Sequence, residues 1–227
     1  MSHTEKAPAK HPTTSLRRTV DLALAVLLVL QLALPYLGEF AHEWLGVVFG
    51  VLCLVHLVIN RKLFTTLHHT HRWGRAILDW LLVAWLILEM LSGLGMSLYV
   101  TPWLTLPSTF LLSRSFHGTL GYWGLLLAGF HCGLHAQAIR AQAAHLILHR
   151  PAHVPSTPRR IVVTVAGAAS ALILDFPEHL MPGRMVFATS LLPAPLYLAL
   201  LALVFWGAAC ASALIDAALA KKRSTAQ

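Results

Sequence analysis

The sequence has little charge. Asp, Glu, Lys and Arg make up 11% of its 227 residues, whereas soluble domains carry about 25%. Too few charged side chains are therefore present to cover a water-facing surface, which excludes an ordinary soluble enzyme. Hydrophobic residues make up 57% of the chain. At about 20 residues per membrane span, this length accommodates six membrane helices and little else.

Cysteine is also scarce. The three cysteines, Cys53, Cys132 and Cys210, lie in separate apolar stretches and form neither a CxxC pair nor a CxxCH motif. Their spacing therefore excludes a disulfide framework, a cysteine-rich zinc site and covalently attached haem.

Six apolar stretches predict an all-α, six-helix membrane bundle. They cover residues 19–38, 41–60, 77–100, 116–138, 161–176 and 195–218. We expect residues 1–18 to form a disordered cytoplasmic tail, 19–220 the membrane domain, and 221–227 a second cytoplasmic tail.

Acidic residues are few: nine Asp and Glu face 17 Lys and Arg, for a net charge of +8. Fifteen of the 17 basic residues fall on one predicted side, and only Arg114 and Arg184 fall on the other. Membrane proteins concentrate basic residues in cytoplasmic loops. The bias predicts a multi-pass protein of the bacterial cytoplasmic membrane with both termini in the cytoplasm. It also excludes nucleic acid as a partner.

Four of the 14 histidines form a pattern. His42 and His56 are 14 residues apart on the predicted second helix, and His117 and His131 are 14 apart on the fourth. Fourteen residues are close to four helical turns and about 21 Å of axial rise, so the members of each pair share a face. That separation places one histidine towards each side of a hydrocarbon core about 30 Å thick.

The pattern repeats along the chain. His42-x3-Gly46-x9-His56 matches His117-x3-Gly121-x9-His131 at an offset of 75 residues. We interpret this as an internal repeat of helices one and two in helices three and four. Helices two and four then run parallel, so the first histidines of the two motifs lie level with each other, as do the last.

Level histidines on facing helices are typical of the axial ligands of haem iron. The spacing predicts two molecules of haem b per chain, an outer one held by His42 and His117 and an inner one held by His56 and His131. Small residues on the same faces leave room for a flat macrocycle: Gly46, Gly121 and Gly124. The alternative is that the histidines are core residues with satisfied hydrogen bonds and that the glycines serve helix packing.

The segment HEWLGVVFGVLCLVHLVINRK, from His42 to Lys62, resembles the flavinylation-associated cytochrome family of bacterial membrane proteins. The paired H-x13-H helices are similar to the dihaem core of cytochrome b and of ferric-reductase-like proteins. These resemblances imply haem b, electron transfer and a partner that carries flavin. The sequence has no G-x-G-x-x-G motif, so we expect any flavin to belong to a separate protein. Helices five and six resemble no family.

Three further side chains are candidates for the predicted sites. Arg114, three residues before His117, is a partner for the outer haem propionates or for lipid headgroups. Arg61 is a partner for the inner propionates, although the cytoplasmic bias of basic residues also explains it. Glu89 lies midway along the third helix, where a carboxylate is costly; it serves helix packing, a proton path or a quinone pocket.

His135 competes with His131 for the inner site. It lies 18 residues after His117, five full turns, and shares the same face. Its depth differs, because it lies about 27 Å from His117 while His131 lies about 21 Å away. We therefore predict His131 as the ligand and His135 as an interfacial residue near the inner propionates or a quinone. Asp79, four residues after Arg75, is predicted to form an ion pair with it.

The combined pattern predicts an electron-transfer subunit rather than a stand-alone enzyme. It would link a quinone pool or a cytoplasmic donor to a periplasmic redox partner, by resemblance a flavoprotein. One alternative is the cytochrome b anchor of a hydrogenase, formate dehydrogenase or molybdenum oxidoreductase. The alternative from another class is a haem-free transporter of metal ions or protons.

Overall fold

The computed structural model describes residues 12–67, 73–104, 114–135, 156–182 and 192–225. Throughout these residues the regular structure is helical, which confirms the predicted all-α class. The seven helices are α1 (Pro12–Gln31), α2 (Leu34–Leu67), α3 (Trp73–Met96), α4 (Arg114–Leu134), α5 (Thr157–Ile173), α6 (Phe176–His179) and α7 (Ala194–Ser224).

Three of these helices are long and apolar enough to span a membrane. The qualifying segments are Leu34–Arg61 of α2, Gly74–Met96 of α3 and Ala194–Lys222 of α7. The α2 segment has a mean hydropathy of 1.9, yet only 6% of it is buried inside the protein. Apolar side chains left uncovered in this way need a lipid environment, because exposing them to water is unfavourable. The chain is therefore a membrane protein.

The terminal helices extend beyond the apolar stretches. Helix α1 begins at Pro12 and α7 ends at Ser224, so residues 12–18 and 221–224, predicted to lie in the tails, are helical. Hydropathy marks the part of a helix that avoids water, whereas backbone hydrogen bonding continues into polar flanks. Proline also suits a first helical turn, where its missing N–H is not needed. Residues 1–11 of the predicted tail lie outside the described residues.

The first predicted span, residues 19–38, contains a chain reversal. Helix α1 ends at Gln31, a turn covers residues 32–33, and α2 begins at Leu34. A second break follows at Gly38, whose φ of 77° and ψ of 162° lie outside the helical region. Glycine adopts a positive φ without the steric penalty that a Cβ imposes. The reversal places His42 one turn beyond Gly38, at the start of the long straight part of α2.

The helices pack in a chain of close neighbours. Helix α1 packs on α2, α2 on α3, α3 on α4, α4 on α7 and α7 on α5. Among the described helices, α2 and α4 are not a closely packed pair. The apolar core is densest between α4 and α7, where Leu125 and Leu201 are completely buried. Helices α2 and α4 are thus neighbours of α3 whose backbones are held apart.

Glycines allow close contact between α5 and α7. A Cβ built on Gly167 would lie 2.8 Å from the Cα of Gly207 and 2.6 Å from the carbonyl oxygen of Leu203. Both of these are backbone atoms, so they cannot move aside as the end of a side chain would. Close approach of backbones at small residues is a common way for membrane helices to associate.

We expect Gly167→Ala to lower the free energy of unfolding in detergent by about 1–3 kcal/mol, because the added methyl overpacks the α5–α7 contact. Gly74→Ala is the matched control, since a Cβ there meets no atom within 4 Å. It should leave stability unchanged or raise it by up to about 1 kcal/mol. Equal effects of the two substitutions, measured by thermal unfolding, would contradict the described packing.

Candidate functional site

Helices α2 and α4 bring four histidines together as two pairs. The ring centres are 6.0 Å apart for His42 and His117 and 6.4 Å apart for His56 and His131. The ring planes are inclined at 87° in the first pair and 71° in the second. Because the first histidines of both helices meet and the last histidines meet, α2 and α4 run parallel in the register that the repeat predicts.

The ring separations fit a metal ion held between two imidazoles. With metal–nitrogen bonds of about 2.0–2.1 Å and about 1.1 Å from ring nitrogen to ring centre, two imidazoles on opposite sides of one ion have centres roughly 6.2 Å apart. The observed 6.0 Å and 6.4 Å lie on either side of that value. Edge-to-face contact of rings also places their centres about 4.5–7 Å apart, so the orientation of the ring nitrogens must distinguish the two arrangements.

Neutral acceptors orient the His42–His117 pair. The Nδ1 of His42 lies 3.1 Å from the carbonyl oxygen of Gln31, which can only accept. The Nδ1 of His117 lies 2.9 Å from the Oγ of Ser92. That hydroxyl donates its own hydrogen to the carbonyl of Glu89, at 3.0 Å, so its oxygen accepts from His117. Both imidazoles therefore carry their proton on Nδ1.

Carboxylates orient the His56–His131 pair. The Nδ1 of His56 donates to Asp21 Oδ1 and the Nδ1 of His131 donates to Asp79 Oδ1, each at 2.7 Å. The amide of Asn60 donates to the His56 carbonyl at 2.9 Å. Its nitrogen also lies 3.3 Å from Nδ1 and 3.4 Å from Nε2 of His56, and of these two ring atoms only Nε2 can accept from it. These imidazoles also carry their proton on Nδ1.

All four histidines thus present Nε2 as the nitrogen with the lone pair. Metal-binding histidines commonly donate their other ring N–H to a carboxylate or a carbonyl, which fixes the tautomer and the ring orientation. The side chains are largely shielded, with exposures of 28%, 19% and 27% for His56, His117 and His131. The described residues therefore fit two haem irons, each with two histidine ligands.

The predicted glycines have different neighbours. A Cβ on Gly46 would lie 3.1 Å from Gln31 Nε2, and one on Gly121 would lie 3.2 Å from Leu32 Cδ2, both of them ends of flexible side chains. A Cβ on Gly124 would overlap the indole ring of Trp85. Gly124 therefore accommodates Trp85, and the expectation that it makes room for a macrocycle does not describe its packing.

An aromatic layer separates the two histidine pairs. Trp85 of α3 lies on Gly124, which is seven residues from both histidines of α4. Its ring centre lies 6.3 Å from that of Phe49, which is seven residues from both histidines of α2. The indole Nε1 donates to the carbonyl of Leu120 at 2.7 Å, which fixes the ring. The midpoint between the pairs is thus filled by side chains, while each pair stands in a separate layer.

The three further candidates have different surroundings. Arg114 donates to Glu39 Oε1 at 2.6 Å, and these residues occupy equivalent positions of the repeat, 75 apart. Arg61 is exposed on α2 beyond His56. Glu89 lies beside the His42–His117 pair, with Oε1 3.7 Å from the Nδ1 of His117. Its Oε2 is buried without a hydrogen-bond partner among the described residues.

The prediction for Asp79 is wrong. Arg75 pairs with Asp216 of α7 at 2.8 Å, and Asp79 instead accepts from His131. The side chain of Asp79 is only 8% exposed, and its Oδ1 also lies 3.6 Å from His135 Nε2. Ligand atoms of Asp79, His131 and His135 all lie within 4.8 Å of one another. The His135 ring therefore lies beside the carboxylate that orients His131, although its Nε2 makes no hydrogen bond within the described residues.

The sequence pattern does not single out His179 of α6, which is buried in the structure. Its ring stacks on Tyr122 with ring centres 4.2 Å apart and planes 5° apart, and Tyr122 lies 3.3 Å, oxygen to oxygen, from Tyr197. Burial lowers the pKa of His179, although the nearby carboxylates of Asp175 and Glu178 act in the opposite direction. A neutral imidazole stacked on a tyrosine is a packing residue. No spacing signal links it to the two pairs.

Comparison with known proteins found no match: no protein-family model, no curated protein and no solved structure resembles this chain. The resemblance to flavinylation-associated cytochromes and to cytochrome b therefore remains a prediction. Any assignment of function depends on the side chains described above.

The carboxylate of Glu43, next to His42, holds the chain that follows α3. It accepts from the Ser97 hydroxyl at 2.7 Å and from three successive backbone N–H groups at 2.9–3.1 Å, those of Leu98, Tyr99 and Val100. Hydrogen bonds to a charged group are stronger than neutral ones. This contact joins the start of α2 to the end of α3 at the His42–His117 level.

We expect Glu43→Ala to lower the free energy of unfolding by about 2 kcal/mol, because it leaves several donors without their charged acceptor. Hydrogen exchange of residues 97–101 should quicken. Glu39→Ala is the matched control; it removes an exposed pair with Arg114, whose contribution is about 0–1 kcal/mol. A loss of stability as large in Glu39→Ala, or unchanged exchange in Glu43→Ala, would contradict this account.

Proposed function

We propose that this chain is a six-span, b-type dihaem cytochrome that moves electrons between the two faces of a membrane. One observation carries the proposal: two histidine pairs have ring centres 6.0 Å and 6.4 Å apart, and every Nδ1 in them is engaged with an acceptor. The recurrence of this arrangement at two levels, 14 residues apart on each helix, supports two equivalent pairs of ligands.

His42 and His117 would hold one haem, and His56 and His131 the other. Haem bound there would supply reversible one-electron chemistry, and with two histidine ligands no position would remain open for oxygen or substrate. The rest of the work falls to the protein. Hydrogen bonds from Nδ1 fix the tautomer and the orientation of the imidazoles, and α3 packs against both α2 and α4. Trp85 and Phe49 fill the layer between the two sites.

The membrane orientation belongs to the proposal as well. The distribution of basic residues supports both termini in the cytoplasm of a bacterial inner membrane. The His42–His117 pair is then the outer site and the His56–His131 pair the inner one. The partners we propose are a quinone pool or cytoplasmic donor on the inner side and a periplasmic redox protein, flavin-carrying by resemblance, on the outer side. A cytochrome b anchor for a larger oxidoreductase is compatible with the same geometry.

Purified protein tests the proposal directly. A pyridine haemochrome assay should find about two haems per chain, extractable with acid acetone because no CxxCH motif exists. His42→Ala and His117→Ala should each reduce the count to one. His179→Ala is the matched control, since His179 packs on Tyr122, and it should retain both haems. A colourless protein, or equal loss in His179→Ala, would refute the assignment.

A second pair of variants separates the two candidate histidines of α4. His131→Leu should lose the inner haem and the corresponding part of the reduced α-band, because His131 is the residue whose ring lies 6.4 Å from that of His56. His135→Leu should retain both haems, since its Nε2 faces the carboxylate of Asp79. Loss of the inner haem in His135→Leu together with its retention in His131→Leu would reverse the assignment.

One observation favours a second candidate function. The grouping of Asp79, His131 and His135 offers three ligand atoms within 4.8 Å of one another, which suits a small metal ion in a haem-free transporter. In the described structure the Asp79 oxygen already accepts the His131 proton, and a metal ion would have to displace it. Elemental analysis of the purified protein distinguishes the two functions, since bound zinc or copper without haem would favour the transporter.

A further inference from the structure

The two histidine pairs differ in the charge of the groups that accept their Nδ1 protons. In the His56–His131 pair both acceptors are carboxylates, Asp21 and Asp79, each at 2.7 Å. The donors come from α2 and α4, and the acceptors come from α1 and α3. Both histidines of this pair therefore donate to a carboxylate from a neighbouring helix.

The acceptors of the His42–His117 pair are neutral and their hydrogen bonds are longer. A backbone carbonyl, that of Gln31, accepts at 3.1 Å, and a hydroxyl, that of Ser92, accepts at 2.9 Å. The carboxylate of Glu89 stays 3.7 Å from the Nδ1 of His117, beyond hydrogen-bond distance, and Ser92 already accepts that proton.

A carboxylate acceptor changes the ligand more than a neutral acceptor does. Charge-assisted hydrogen bonds are shorter and about twice as strong as neutral ones. By drawing the proton on Nδ1, a carboxylate raises the electron density on Nε2 and makes the imidazole a more basic ligand. A more basic ligand stabilises ferric iron relative to ferrous iron, so hydrogen bonding around the ligands is one of the means by which a protein sets a haem potential.

Nearby arginine charges do not remove this difference. On the side of the His56–His131 pair, Arg75 is paired with Asp216. On the other side, Arg114 is paired with Glu39. The charges of Arg75 and Arg114 are thus balanced locally. Arg17, four residues before Asp21 on α1, instead donates to the backbone carbonyl of Ile59 at 3.2 Å, so its charge opposes part of that of Asp21. Asp79 on α3 and Asp21 on α1 nevertheless both accept directly from the ligands themselves, each at 2.7 Å.

We propose that Asp21 and Asp79 hold the His56–His131 site at a lower reduction potential than the His42–His117 site. This inference rests on the proposed function. In a half-reduced protein the single electron would then reside at the His42–His117 site. To reach it, the electron would leave the iron held by His56 and His131, which becomes ferric, and reduce the iron held by His42 and His117, which becomes ferrous. The chain is thereby biased to pass electrons from the side that carries its termini to the opposite side.

Redox titration followed by visible absorption tests the order of the potentials. His117→Ala retains only the His56–His131 site, and His131→Ala retains only the His42–His117 site, so each potential is read separately. We expect the lower value in His117→Ala. The reverse order would overturn the inference, although two bound haems would leave the proposed function standing. A protein without haem would overturn both.

Charge-removing variants test the cause. In the His117→Ala background, Asp21→Asn and Asp79→Asn each keep the size and an acceptor oxygen but remove the charge. Each should raise the equilibrium constant for reduction of this haem about tenfold, which is the size of effect that hydrogen-bond partners of metal ligands have. A tenfold change corresponds to a rise of 59 mV in the potential of a one-electron couple. Asp216→Asn is the matched control: it removes a carboxylate that pairs with Arg75 and accepts from neither ligand, so it should raise the potential by less than Asp21→Asn or Asp79→Asn does.

Asp21 and Asp79 lie on different helices, so the test can still be made if one of the two variants loses its haem. If Asp79→Asn fails to retain haem, Asp21→Asn, on α1, still reports the effect of a charged acceptor. If neither Asp21→Asn nor Asp79→Asn shifts the potential by more than Asp216→Asn does, the inference is overturned.

Discussion

A hydrogen bond from Nδ1 to an acceptor outside the ligand helices orients each histidine of the two pairs. Helix α1 supplies both acceptors for the histidines of α2, and α3 supplies both acceptors for those of α4. Without these bonds each imidazole could rotate or change tautomer, and the separations of 6.0 Å and 6.4 Å would not be held. The four-helix arrangement is thus two supporting helices behind two histidine-bearing ones.

This arrangement also accounts for polar side chains at membrane depth. A carboxylate in the middle of a membrane helix costs about 2.5–3.5 kcal/mol on insertion scales, so it is retained where it has a partner. Asp21 and Asp79 both have one, a histidine Nδ1 at 2.7 Å. Glu89 is the exception, since its Oε1 lies 3.7 Å from the Nδ1 of His117 and its Oε2 has no partner among the described residues. Elsewhere the lipid-facing side of α2 is apolar and only 6% of its spanning segment is buried in protein, so the polar groups are concentrated on the inward side.

The sequence predicted the histidine register well, because a 14-residue spacing on a helix has a definite geometry. It did not predict the acceptors. Asp21 lies 35 residues from His56 and Asp79 lies 52 from His131, and their positions do not follow the 75-residue repeat. Local spacing favoured an Arg75–Asp79 pair, whereas tertiary packing directs Arg75 to Asp216.

The positions of helix ends and the side chains that pack on each glycine could not be predicted from residue spacing either. Hydropathy marks where lipid begins and not where a helix ends, so α1 and α7 extend into segments that had been predicted as tails. Gly124 lies on the expected face of α4, yet a tryptophan from α3 occupies the space beside it. Which neighbour fills the space beside a small residue depends on the packing of a third helix, and that information is not local.

The central claim is that two irons are each held between two histidines. Electron paramagnetic resonance of the oxidised, purified protein tests it most directly, because the signal reports the axial ligands of each ferric iron. The account predicts two low-spin ferric signals of equal integrated intensity and no high-spin signal. A high-spin ferric signal, which indicates an open coordination position, or the absence of any iron signal would contradict it.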